Sequence, residues 1–316
     1  MTLIRRVALA ALGAVLVIAC NRAAESPREP AKPRVAFVLK TLNSPFFIDM
    51  QKGAQEAAAR VGVDLVVQAA EREVDVDKQM QIIENMIQTG VKALCITPSG
   101  SKEIVPAIAK ANQAGIPVVI VDTLVDPKAA QEAGIRIETF VGSDNYEGGR
   151  VAGQYMIELT KGKANVAILE GIPGHETGDS RLKGFHDAVK ATPGIKVVAS
   201  QTANWERDQG FTVFQNMLQA HREIDALFAC NDMMALGAVE AITAAGRTGQ
   251  IRVVGFDAVD DARKAIATGA IAGSVAQFPA EMGRLAVESA AKLIQGEKAP
   301  PDQRVRIELV TKAVAK

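Results

Sequence analysis

Rings are scarce in this chain of 316 residues: ten Phe, two Tyr and one Trp, 4% of the sequence. A core must then be built mostly from Ala, Val, Ile and Leu. The 48% hydrophobic content is enough for one, which excludes a disordered tail. Net charge is also absent, with 36 basic against 36 acidic residues, and this argues against a dedicated nucleic-acid binder. Three histidines leave little for general-base chemistry, and His175-Glu176 lacks the second histidine of a zinc motif. A Gly-x-Ser-x-Gly elbow, a Walker loop and a Gly-x-Gly-x-x-Gly after the first strand are all missing. An enzyme is therefore not expected, nor a metal or other cofactor. Three cysteines do not make a disulfide framework; Cys95 and Cys230 lie in short apolar runs and are expected as buried free thiols.

Apolar runs long enough to span a membrane are not the pattern at the N-terminus either. Arg5 and Arg6 are followed by 13 small or apolar residues, Val7 to Ala19. As a helix this run is about 20 Å long, short for a bilayer but suited to a signal peptide. Val17-Ile18-Ala19 before Cys20 resembles the lipobox of bacterial lipoproteins, in which the cysteine is lipidated and becomes the new N-terminus. An ordinary signal peptide with a chance cysteine is the alternative. Residues 1–19 are expected to be a signal peptide. Residues 20–33, with three Pro and no apolar period, are expected to be a lipid-anchored tether and the only link to a membrane. A transcription repressor would carry a helix-turn-helix at this end instead.

From Arg34 the chain alternates. Val35–Leu39, Val63–Val67, Ala93–Thr97 and Val118–Val121 are short apolar runs, separated by stretches with helical spacing such as Pro45–Val61 and Ile104–Ala114. The alternation restarts at Phe140-Val141-Gly142 and continues through Val166–Leu169, Val197–Ser200, Ala226–Ala229, Val253–Phe256 and Ile271–Ala276, with a last helix at Ala280–Ile294. Strands alternating with helices imply βαβ units and parallel sheets buried on both faces. About ten strands fit two sheets better than one. The expected fold is α/β: two doubly wound parallel-sheet lobes facing each other across a cleft.

Open parallel sheets place ligands beyond the carboxyl ends of their strands. Those ends carry Lys40, Asn43, Ser44, Phe46 and Phe47 after the first strand, and Asp122 after the fourth. In the second half they carry Asp179 and Arg181, Trp205, Asn231, Phe256 with Asp257, and Gln277. Amide and charged groups suit hydroxyls, and flat rings pack on the C–H faces of a sugar or polyol. Each residue also has a plainer reading: Asn231 and Asp232 as helix caps, Phe46 and Phe47 as core, His175 as a loop surface residue.

These segments resemble the periplasmic solute-binding proteins for ribose, allose and related sugars, a type I periplasmic binding protein family. The resemblance covers nearly all of the chain after the tether. It is carried by Leu39-Lys40-Thr41-Leu42-Asn43-Ser44-Pro45-Phe46-Phe47, by Ala199-Ser200-Gln201, by Asn231-Asp232-Met233-Met234-Ala235-Leu236-Gly237-Ala238, and by Val253-Val254-Gly255-Phe256-Asp257. It implies three hinge crossings, near Gly142, Gln277 and Arg306, dividing the chain into 34–142 plus 278–306 and 143–277 plus 307–316. It implies rings of Phe46 and Phe47 on one sugar face and Trp205 on the other, with Asp122, Asn231, Asp257 and Gln277 as hydroxyl-binding positions and Arg181 as the family's arginine. The partners implied are a monosaccharide or polyol and an ABC permease in the inner membrane, with no nucleic acid. A periplasmic sensor docking on a chemoreceptor or histidine kinase is the alternative. Ser44 and Thr123 stand where the ribose type has asparagine and arginine, while Lys40 and Trp205 look like the allose type, so a hexose, an altered pentose or a cyclic polyol fits as well as ribose.

Overall fold

The computed structural model describes residues 31–313; the expected signal peptide, Cys20 and the tether through residue 30 lie outside the described residues, as do residues 314–316. The first lobe runs β1 (Arg34–Thr41), α1 (Pro45–Val61), β2 (Asp64–Ala70), α2 (Val76–Gln88), β3 (Ala93–Ile96), α3 (Val105–Gln113), β4 (Val118–Val121), α4 (Pro127–Ala133) and β5 (Thr139–Ser143). The second runs α5 (Asn145–Thr160), β6 (Ala164–Glu170), α6 (Glu176–Val189), β7 (Ile195–Thr202), α7 (Arg207–Ala220), β8 (Ala226–Ala229), α8 (Asp232–Ala244), β9 (Arg252–Asp257), α9 (Asp260–Thr268) and β10 (Gly273–Ala276). The chain then gives α10 (Pro279–Ile294) and two short strands, β11 (Asp302–Val305) and β12 (Glu308–Thr311).

The strands form two six-stranded sheets, ordered β11-β5-β4-β3-β1-β2 and β12-β10-β9-β8-β6-β7. Every pairing is parallel except that of β10 with β12. Sheet membership changes three times: after β5, between β10 and α10, and between β11 and β12. β3 and β4 are buried throughout because helices cover both faces of their sheet. Alternate β1 residues therefore enter different cores. Val35, Phe37 and Leu39 pack toward α1 and α10; Ala36 and Val38 pack toward α2 and α3.

Ten of the twelve strands coincide with apolar runs in the sequence. β11 and β12 do not, since Asp-Gln-Arg-Val has one apolar residue and Glu-Leu-Val-Thr only two, and both strands lie at sheet edges. Sequence reading also treats 173–179 as loop, whereas α6 starts at Glu176; Gly174 and Gly178 hide the helical signal. His175 is the N-cap of that helix and is 4% exposed, not a surface residue. Cys95 and Cys230 are buried free thiols.

Candidate functional site

The carboxyl ends of both sheets close on one small cavity lined by residues of both lobes. From the first lobe, β1 ends in Lys40, 2% exposed. Its Nζ lies 3.3 Å from Asp122 Oδ2 and 3.6 Å from Glu73 Oε2. Asp122 follows β4 with φ of 65°, and Thr123 Oγ1 donates to its Oδ2 at 2.9 Å. Pro45 opens α1 and delivers Phe46 and Phe47 in its first turn, their rings edge to face at 5.2 Å. The Lys40 ammonium lies 5.7 Å from the Phe47 ring centre.

The second lobe contributes Arg181, 4% exposed. Its Nε donates to Asn145 Oδ1 at 2.9 Å, and its Nη1 donates to the Cys230 carbonyl at 2.8 Å and lies 3.6 Å from Asp257 Oδ1. The guanidinium stacks 3.9 Å above the Phe256 ring. Asn231 does two jobs: its Oδ1 caps α8 by accepting from Met234 N, and its Nδ2 donates to the Trp205 carbonyl at 3.1 Å. Asp122, Asn204, Trp205, Asp257 and Ala258 all have positive φ. Non-glycine residues rarely hold this conformation, and such strain clusters at functional sites. Asp232 secures the Asp257 turn from below, accepting from Ser274 Oγ at 2.8 Å and from Val259 N at 2.9 Å.

A periplasmic binding protein domain model matches residues 35–298. The chain belongs to the periplasmic binding protein family. A D-ribose/D-allose-binding protein of Pseudomonas aeruginosa is 39% identical, with 90% of this chain and 91% of that protein covered. A ribose import binding protein of Escherichia coli is 38% identical over 89% of this chain and 92% of its own. A solved structure of an ABC transporter periplasmic solute-binding protein from Actinobacillus succinogenes with bound D-allose superposes with a TM-score of 0.86 and 39% identity, covering 90% of this chain and 99% of that one. The family is one of solute-binding proteins of the periplasm, not of enzymes, and the two-lobed parallel-sheet fold is that of its solved members.

In this periplasmic binding protein the cavity is lined by Lys40, Ser44, Phe46, Phe47, Asp122, Arg181, Trp205, Asn231 and Asp257 among the residues expected from sequence. The other four lie elsewhere. Asn43 is exposed and its Nδ2 donates to the Glu71 carbonyl at 2.7 Å, tying the β1 loop to the β2 loop. Asp179 is exposed on α6, whose helical turn aims it at a neighbouring recess rather than the cavity. Phe256 is fully buried beneath Arg181. Gln277 stands behind Asp257, its Nε2 donating to Asp257 Oδ1 at 2.9 Å. Glu73 and Thr177 line the cavity and were not expected. Glu73 sits in Glu71-Arg72-Glu73, which has the composition of a solvated turn but follows the carboxyl end of β2.

Lys40 and Arg181 face three carboxylates, Glu73, Asp122 and Asp257, so the periplasmic binding protein carries no surplus positive charge here. Burial lifts the Glu73 carboxyl to about 7 against the pull of Lys40, and lifts Asp257 to about 6 against Arg181 and Gln277. The cavity therefore offers a charge-balanced set of hydrogen-bonding groups with no net positive field. Among the described residues no cluster of His, Cys, Asp and Glu is arranged to hold a metal.

Trp205 fits this site because two glycines leave it a slot. A Cβ on Gly171 would overlap its six-membered ring, and one on Gly178 would press on it from 3.0 Å. Gly171→Ala is expected to lower stability by about 1–3 kcal/mol through overpacking. It should also shift the emission of Trp205, the only tryptophan. Urea unfolding and fluorescence check this; an unchanged midpoint and spectrum would show that the ring is not held in the slot.

Proposed function

We propose that this protein captures one neutral monosaccharide or polyol of the ribose/allose class between its lobes and delivers it to an ABC importer, with the three chain crossings as the hinge. The observation that carries this reading is the composition of the cavity: flat rings (Phe46, Phe47, Trp205) beside hydroxyl partners from both lobes (Lys40 and Asp122; Arg181, Asn231 and Asp257). Rings pack on sugar C–H faces while ionised and amide groups give strong hydrogen bonds to hydroxyls. The cavity is small and closed in by side chains from both lobes, which suits a single ring and not an oligosaccharide. Because both lobes contribute, ligand favours the closed form by bridging them.

A thermal-shift screen of D-allose, D-ribose, other monosaccharides and myo-inositol tests the class, since a ligand of the native state raises the melting temperature. In Asp257→Ala the affinity for the best compound is expected to fall by about 1.5–3 kcal/mol, roughly 10- to 150-fold, because an ionisable acceptor is lost. A screen in which no neutral sugar or polyol raises the melting temperature sinks the reading. An unchanged affinity in Asp257→Ala removes that residue from it. Export and anchoring through Cys20 complete the proposal; Cys20→Ala is expected to move the protein from the membrane to the soluble fraction.

A further inference from the structure

The lobes also meet outside the cavity, where the start of α6 lies against the loop between β3 and α3. Glu176 N donates across the gap to Ser101 Oγ at 3.2 Å. The adjacent His175 ring is buried and faces the Ser99 carbonyl, which belongs to the first lobe. Its Nδ1 and the Ser99 hydroxyl, both closed off from solvent, have no hydrogen-bond partner. None of these residues lines the cavity described above.

We propose that His175 and Glu176, seated on the Ser99–Ser101 loop, form a second interlobe latch that sets how tightly the closed protein holds its ligand, and that protonation of His175 opens it. The latch rests on the sugar-binding reading. The charged groups around it are Lys40 near the end of β1, Lys102 and Glu103 ahead of α3, Asp126 ahead of α4, and Glu176, Asp179 and Lys183 on α6, the last paired with Asp187 at 2.6 Å. Lys102 is drawn to Asp126 at 3.9 Å, and Ser180 Oγ donates to Glu176 Oε1 at 2.7 Å. Burial first, then the Lys40 cation, hold the closed-state imidazole neutral with its pKa lowered to about 3, the Ser99 carbonyl pulling weakly the other way. When the lobes part, the ring is wetted and Lys40 and Ser99 withdraw, so its value returns to about 6.5. The open form then binds the proton and the closed form does not. The contribution of His175 to closure is full above about pH 7.5, halved near pH 6.5, and weakens by about tenfold per pH unit below about pH 6. Glu73 and Asp257, raised in the closed cavity, act in the opposite sense as pH falls. The effect of His175 is therefore read as a ratio of two proteins, in which their contribution cancels.

The full-length protein and His175→Gln are titrated calorimetrically with D-allose and with D-ribose at pH 7.5 and pH 5.5. The dissociation constant of the parent relative to that of His175→Gln is expected to rise about tenfold between the two pH values. Ser101→Ala, which removes the acceptor of the Glu176 N–H, is expected to weaken binding about two- to tenfold at both pH values and leave the parent's pH profile in place. A ratio that stays constant within twofold, or an unaltered affinity in Ser101→Ala, overturns the latch alone. A parent protein that binds neither sugar at pH 7.5 overturns the sugar reading and the latch with it. Circular dichroism at both pH values confirms that each variant is folded.

Discussion

Replacing Arg181 with alanine is expected to cost at least about 100-fold in affinity for D-allose or D-ribose, whichever binds better. Arg181 holds the second lobe's half of the cavity together. Its guanidinium lies on Phe256, donates to Asn145 and to the Cys230 carbonyl, and faces Asp257 at 3.6 Å. Each hydrogen bond from the guanidinium to a ligand hydroxyl contributes about 1.5–3 kcal/mol, and losing two of them while Asn145 and Asp257 lose their anchor costs about 3 kcal/mol or more of binding. A loss of 3 kcal/mol already corresponds to about 150-fold. Asp257, lifted to about 6 even with Arg181 present, would be neutral over a wider pH range without it. Arg181→Lys separates charge from geometry: an ammonium restores the attraction to Asp257 but cannot make the forked set of bonds, so only part of the affinity should return. Calorimetry on both variants checks this. Full affinity in Arg181→Ala would mean that the arginine organises neither Asp257 nor the ligand.

Lys40→Ala should have the next largest effect, and its size should depend on pH. Lys40 is the cation shared by Glu73 and Asp122, all three groups being nearly inaccessible. In the folded parent Glu73 titrates at about 7, against 4.5 when free, because burial outweighs Lys40. Between those values the folded state holds a proton that the unfolded chain has released. Stability from this group therefore grows as pH falls from about 7 to 4.5. Without Lys40 the folded-state value rises further, so at pH 8 Glu73 must either ionise beside Asp122 with no counter-charge or hold a proton that the parent has largely released. Unfolding at pH 8 is expected to be easier than in the parent by about 3 kcal/mol. At pH 5 the penalty should be smaller by about 1 kcal/mol, since Glu73 is protonated there in either folded protein and only the loss of the Asp122 partner remains. Urea melts at the two pH values test this; a penalty equal at both would show that Lys40 does not act through Glu73.

Much of this architecture is legible along the chain. β1, β3 and β4 announce themselves as unbroken apolar runs because a parallel strand covered on both faces has no polar side. The rule that ligands gather beyond strand carboxyl ends brings Lys40, Asp122, Arg181, Trp205, Asn231 and Asp257 into view without any coordinates. Applied to β2 as well, the same rule reaches Glu73. Other features have no local signature. β11 and β12 take their stability from the edges they join, not from their own residues. His175 looks like a loop residue until the opposite lobe covers it.

The scarcity of rings is a further case. Only Phe46, Phe47 and Trp205 of the thirteen line the cavity. Phe37, Phe185, Phe214, Phe228 and Phe256 are fully buried, with Phe185 and Phe228 stacked at 4.6 Å. A low aromatic content therefore narrows the search for a sugar-facing ring but does not assign one, because a phenylalanine at a strand end can turn into the core as readily as into the cleft.

The two α/β lobes, the side of each sheet on which a ligand would sit and the kinds of group gathered there are written in the linear chain, since they follow from periodicities of two and 3.6 residues and from the direction of parallel strands. Which of those groups share a cavity, and which protonation states they favour, depends on the folded arrangement. Lys40 meets Glu73 and Asp122, Arg181 meets Asp257, and His175 meets Ser99 because strand order and lobe closure, not chain order, set the distances between them. Burial and charge pairing act through those distances, and no stretch of sequence read on its own contains them.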